Sequence, residues 1–281
     1  MSFDFFTLGG SQLWEDVFFY QKWRIQRHYR TKKYRLLDNW DIRRASGSFE
    51  DCRKAFVKYI EVYEIPRQKG ELVILLHGLG QTKSIFRPLW KALAEKGYNV
   101  AAINYPSTRK SIKHIINQLE FFLVHTEDIS KVSFITKGAG CLVLRHLISI
   151  SYGWQDKFRV SKVININPIN TGSDFFELLS RHKIFNTILG PMLKESTPKY
   201  AKAVSKLPHE INLGLLFCET WATSLKNLIV DKFKSFPLNS EVSEVSYSDK
   251  HKTVKCDSLN IFKSNETISA CLDFINKGSF D

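Results

Sequence analysis

VSFITKGAG, residues 132–140, decides how this chain is read. Five residues of β-forming, largely apolar character lead into Lys137 and a turn flanked by Gly138 and Gly140. The sequence CLVLRHLIS, with helical apolar spacing, follows directly. A strand that turns sharply into a helix aims the residue at its apex outward from the end of a sheet. Here that residue is Gly138, which has no side chain to aim.

Around this unit strands and helices alternate. ELVILLH (71–77), YNVAAIN (98–104), KVSFIT (131–136) and VSKVINI (160–166) are short apolar runs of the kind that fill a parallel strand buried on both faces. Between them the sequence predicts helices over 84–96, closed by Gly97, over 111–124, with Ile112, Ile115, Ile116 and Leu119 on one face, and over 141–150. INLGLLFCE and HKTVKCD add two strands, and residues 266–277 form a terminal helix ending at Gly278. This alternation predicts an α/β domain with a mostly parallel sheet and helices on both faces.

Two segments depart from the rhythm. Residues 1–66 form an N-terminal extension packed on the main domain, residues 67–281. Within the extension, seven Lys or Arg and no acid lie between Lys22 and Arg35. Trp23, Ile25 and Tyr29 alternate with polar residues, and Tyr34 and Leu36 sit on a return strand, so this stretch reads as a hairpin. Ser48 and Asp51 form a capping box for a helix that buries Cys52, Phe56 and Tyr59. The second departure is a cap at about 167–210, rich in proline around NPINTGSD and ILGPMLKEST. It holds six Lys or Arg and one Glu between Arg181 and Lys206.

The chain has 281 residues, with 41 basic against 28 acidic, a net charge of +13. That excess suits anionic partners or a lysine-rich solvated surface. An anionic membrane surface could meet the basic N-terminal segment or the cap. No motif for specific nucleic-acid recognition accompanies the charge. Cys52, Cys141, Cys218, Cys256 and Cys271 are odd in number and contain no C-x-x-C, which favours reduced thiols over disulfides or zinc. MSFDFFTLGG lacks the basic start of a secretion signal, and no apolar run reaches membrane-spanning length. The expected location is cytoplasmic, with peripheral contact at a membrane surface as a further option. Neither a cofactor nor a metal is expected. HGLGQTK places Lys83 where a dinucleotide fingerprint needs its third glycine, and KGAG lacks the Gly-Lys-Ser/Thr of a Walker loop.

The chain resembles a bacterial α/β-hydrolase family of the lipase or esterase kind. The likeness is carried by LGGSQLWEDVFFYQKWRIQRHYRTKKYRLLD, LLHGLGQTKSIFRPLWKALAEKGYNV, INYPSTRKSI, INPINTGSDF and ILGPMLKEST. It implies an α/β-hydrolase fold with an oxyanion hole built from His77, Gly78, Leu79 and Gly80 together with the Ala139 N–H. Active members of such a family would read Thr-His-Ser-Leu-Gly-Gly where this chain has Thr136, Lys137, Gly138, Ala139, Gly140 and Cys141. The nucleophile and its preceding histidine are gone. The resemblance places the base near Ser258, where no histidine occurs, and His251 lies seven positions too early. The acid loop reads SFPLNSEVSEV, and neither Asp231 nor Glu241 fits its slot. Three losses together point to release from catalytic constraint.

Three function classes follow. The first is a hydrolase-like fold without hydrolase activity, binding a small acyl or anionic ligand. Lys137, Gly138 and Gly140 are its candidate anion-binding residues, through N–H donors, a helix start and a cation. The second is an active esterase using other residues, among which Cys141 is a weak nucleophile candidate because it lies inside the helix. The third is a basic protein that binds membrane or nucleic acid through residues 22–35.

Overall fold

The computed structural model describes residues 10–150, 153–220, 248, 250–257 and 260–280. Its centre is a six-stranded, wholly parallel sheet in the order β10-β9-β8-β7-β5-β6. The strands are β5 (Glu71–Leu76), β6 (Asn99–Ile103), β7 (Lys131–Lys137), β8 (Arg159–Ile166), β9 (Asn212–Thr220) and β10 (His251–Asp257). Their side chains alternate between two cores. Leu72, Ile74 and Leu76 of β5 enter one cluster, while Val73 and Leu75 enter the other. A strand buried on both faces has no polar side, which is why ELVILL carries no alternation.

Helices cover each face. On one lie α3 (Ile112–Val124) and α4 (Gly140–Ser149), on the other α2 (Arg87–Glu95) and α10 (Asn265–Lys277). Ser111 caps α3 by accepting from the His114 N–H, and α10 ends at Gly278 with φ +86°. The sequence reading began α2 near Ser84, but Lys83–Phe86 form a 3₁₀ turn and the α-helix starts at Arg87. Pro88 explains the shift, because a proline without N–H is tolerated only in a helix's first turn. This parallel sheet with helices on both faces, and its strand–turn–helix elbow after β7, is the α/β-hydrolase fold.

The N-terminal segment is larger than a hairpin. β1 (Trp14–Tyr20), β2 (Trp23–His28), β3 (Tyr34–Leu37) and β4 (Arg43–Gly47) form a four-stranded antiparallel sheet in sequence order. Gln21 and Lys22 turn β1 into β2 with φ of +46° and +73°. That geometry belongs to a two-residue hairpin turn that normally announces itself with Asn-Gly, so its sequence signal was absent. β4 escaped notice because its RRASG is largely exposed and has no apolar face. The helix α1 (Phe49–Val62) starts on the expected capping box. It lays Cys52 and Phe56 against Val17, Phe18, Trp23, Ile25 and Leu36, giving this segment its own core.

The basic residues of this sheet turn inward more than their composition suggested. Arg27 pairs with Glu15 at 2.7 Å, and Arg35 lies 3.7 Å over the Trp14 ring while donating to Gln26. Burial alone would raise the Glu15 pKa. The His114 hydrogen bond and the Arg27 charge outweigh it and hold the carboxyl below its ordinary range.

Polar groups join the two cores. The Asp16 N–H donates to the Asn104 carbonyl at 3.0 Å, and the Asn104 N–H donates back to Asp16 Oδ2 at 2.6 Å. Gln118 Nε2 reaches the carbonyls of both residues at 2.9 Å. Asn104 Nδ2 holds the carbonyls of Ser11 and Trp14 at 2.6 and 2.8 Å.

Between β8 and β9 the cap is four short helices. They are Asp174–Ser180, Lys183–Leu189, Pro191–Lys194 and Pro198–Ala203, the last two with proline at their first position. Among the described residues no helix is long and apolar enough to cross a membrane.

Replacing Asn104 with alanine strips two donors from the Ser11 and Trp14 carbonyls. The expected outcome is a loss of about 2 kcal/mol in urea unfolding, with earlier proteolysis of residues 10–66.

Candidate functional site

The elbow after β7 is set by one close approach. A Cβ on Gly140 would lie 2.6 Å from the Leu76 carbonyl oxygen and 3.0 Å from that of His77. Only glycine lets α4 begin this close to the end of β5. Gly138 differs: its φ is +51°, yet an added Cβ would meet nothing within 4 Å among the described residues. The apex therefore combines a left-handed backbone with space for a side chain among the described residues, and the chain places none there. The Gly138 N–H donates to the Ile166 carbonyl at 3.0 Å, and its own carbonyl accepts from the Cys141 N–H at 3.1 Å.

The loop after β5 folds against this turn. A Cβ on Gly78 would lie 3.1 Å from the Lys137 carbonyl oxygen and 3.6 Å from the Ala139 nitrogen. Two loop donors serve the protein itself: the Gly78 N–H bonds Gln81 Oε1 at 3.1 Å, and the Gly80 N–H bonds Ser107 Oγ at 3.2 Å. The N–H groups of Leu79 and Ala139 donate to no acceptor among the described residues. These are one donor from each of the two segments that an oxyanion hole of this fold draws upon.

His77 is wholly buried. Its ring stacks on Tyr105 at 3.9 Å, its Nδ1 faces the Gly78 carbonyl at 2.9 Å, and the Tyr105 hydroxyl donates to the His77 carbonyl. Burial pushes its pKa down to about 4, so the ring is neutral near pH 7 and supplies no cation. Its role is to shape the loop.

Lys137 closes β7 with its side chain buried, and it lies near enough to Cys218 to favour that thiol's ionised form. Burial outweighs this and pushes Cys218 up to about 12. Of the anion-site candidates, Gly138 thus has its N–H taken by Ile166, and Lys137 is turned to the β9 side. Cys141 is buried in α4 with its sulfur accepting from the Ile169 N–H at 3.4 Å. A buried thiol held in this way is poorly placed to attack a substrate.

No base reaches the apex from His251. Register carries Thr136 to Asn165, then to Leu215, then to His251, so the histidine stands three strands away. At about 4.8 Å per strand that is roughly 14 Å, beyond hydrogen-bond reach. Ser258, Asp231 and Glu241 lie outside the described residues.

Sequence reasoning missed Arg145. This α4 residue is almost wholly buried, and its guanidinium donates to the carbonyls of Asn170 at 2.5 Å, Ser205 at 3.1 Å, Ala201 at 3.2 Å and Val204. It ties both ends of the cap to the helix that begins at the elbow. An arginine among LVL and HLI was the available signal, since a cation on an apolar helix face must find partners.

No family model matches this chain, and no curated protein matches it in sequence. Solved structures do resemble it. Polyneuridine aldehyde esterase is 15% identical, with 74% of this chain and 100% of that one covered and a TM-score of 0.48. An extracellular α/β-hydrolase from a Paenibacillus species is 12% identical, with coverage of 75% and 100% and a TM-score of 0.49. A hydrolase from Oleispira antarctica is 14% identical, with coverage of 75% and 92% and a TM-score of 0.46.

The two glycines should separate in a stability measurement. Gly140→Ala is expected to cost about 3 kcal/mol through backbone overlap, and Gly138→Ser about 1 kcal/mol through its positive φ alone. His77 gives a pH signature. The unfolded chain takes up a proton below pH 6.5, while the folded ring waits until about 4, so stability is lost as pH falls across that window. Urea unfolding should register a decline of about 3 kcal/mol there, and a smaller one in His77→Gln.

Proposed function

We propose that this protein is a binding protein on an α/β-hydrolase fold, without serine-hydrolase chemistry, whose ligand is a small acyl or anionic molecule held at the former active site. One observation carries the reading. Gly138 stands at the apex with φ +51° and open space where a nucleophile's side chain would project. Nucleophilic catalysis needs an attacking atom, a base within hydrogen-bond reach and a group to orient that base. The first is missing from the chain at this position, and His251 is too far to be the second.

What remains suits binding. The Leu79 and Ala139 N–H groups would donate to a carbonyl or carboxylate oxygen, and the start of α4 adds a favourable dipole. Without a triad such a hole still polarises a bound ester, but in serine proteases this leaves only roughly 10³ to 10⁴ over the uncatalysed rate. The basic cap would favour an anionic headgroup through its long-range field.

A fluorophosphonate probe and short-chain nitrophenyl esters test the reading. The expected outcome is no covalent adduct by intact mass, and turnover no greater than an oxyanion hole alone supports, in the wild type and in Gly138→Ser alike. An adduct, or turnover abolished by a single substitution, would refute it.

A further inference from the structure

The N-terminal sheet meets the edge of the main sheet across a gap. Asp16 and Asn104 close one end of that gap. Behind them lies a cavity of about 70 Å³, floored by Phe19, Ile103 and Phe122 and flanked by Arg24, Lys83 and Arg87. A wider hollow of about 280 Å³, with Trp14 and Arg35 on its wall, adjoins it, and Asp41 and Lys83 line both. Asp41 and Lys83 therefore stand at the passage between the two spaces.

Arg24 is the unusual member. It is 6% exposed, its Nη2 lies 3.2 Å from Asp41 Oδ1, and its Nε is buried without an acceptor among the described residues. A guanidinium presents Nε and Nη2 as a fork matched to both oxygens of one carboxylate, and here half of the fork is unused. An unmet buried donor of this kind is costly, so the site gains from any ligand that reaches it.

Asp41 is a weak occupant. Its side chain is 55% exposed, it touches Arg24 through one oxygen, and its second cation, Lys83, is 3.5 Å away. It also holds φ at +64°, which is unfavourable for a residue with a Cβ. Asp16 lines the same cavity, but its oxygens already accept from Gln26 Nε2 at 2.8 Å and the Asn104 N–H at 2.6 Å. Complete burial also pushes the Asp16 pKa up, weakening its claim on Arg24. Arg87 brings a third positive charge and has no ion-pair partner among the described residues.

We propose that this gap is a second binding site, for a small organic carboxylate whose head takes the Arg24 fork, whose short apolar tail lies on Phe19 and Phe122, and which displaces Asp41. Carboxylate is favoured over phosphate because the fork is planar and the inner cavity holds only a few heavy atoms. Asp41 then acts as an internal competitor that sets the affinity. The site is separate from the elbow and does not depend on what the elbow does.

Calorimetry with sodium acetate, propionate and hexanoate, against sodium phosphate at matched ionic strength, tests this. Wild type should bind propionate saturably, Asp41→Asn about tenfold more tightly, and Lys83→Gln about tenfold more weakly. Circular dichroism melts confirm that each variant is folded, and Arg87→Gln serves as a second weakening variant should Lys83→Gln fail to fold. Absence of saturable carboxylate binding in folded Asp41→Asn would overturn the proposal. So would affinity unchanged in the folded weakening variant, or phosphate binding as tightly as propionate.

Discussion

The contact between Gly140 and the carbonyls of Leu76 and His77 governs the arrangement of this molecule. Because no Cβ intervenes at 2.6 Å, α4 starts directly against the end of β5. That closeness sets the elbow beside the His77–Gly80 loop, where a Cβ on Gly78 would lie 3.6 Å from the Ala139 nitrogen. It also orients α4 so that Arg145 meets the carbonyls at both ends of the cap. A side chain at position 140 would force these segments apart, whatever stood at 138.

Gly138 places a positive φ at the apex of the turn after β7 with no side chain there. The strained backbone of a nucleophile position is tolerable for serine only when the rest of the fold over-determines it. Glycine removes the strain and leaves the donors where they were.

The N-terminal sheet is joined to the main domain by polar as well as apolar contacts, with Phe19 in the main core and Phe49 edge-on to Phe121. Asp16, Asn104 and Gln118 bond one another in a buried network, and such a network fixes geometry because breaking any of its bonds would leave a buried polar group unmet. The same joint leaves a gap along β6 where a continuous sheet would have none. The cations that gave this segment its basic character are drawn into it: Arg24 toward the cavity, Arg35 onto Trp14.

The order of strands and helices, the capping box at Ser48 and the glycine-flanked turn after β7 were legible in the sequence, because each is signalled within a few residues by apolar period, cap chemistry or a motif position. The hairpin turn at Gln21 and Lys22, the strand at Arg43–Gly47 and the division of the cap into four helices were not, since their residues carry no local signal of that geometry. Alone, the sequence determined that Gly138 cannot attack and that His-Gly-Leu-Gly follows a buried strand. Only the tertiary structure decided which N–H groups remain unclaimed, that His77 is a neutral core ring, that Arg145 holds the cap and that Arg24 keeps half its fork empty. The physical reason is that hydrophobic periodicity reports which face of an element is buried, whereas a polar group's partner lies tens of residues away and is chosen by how the elements pack.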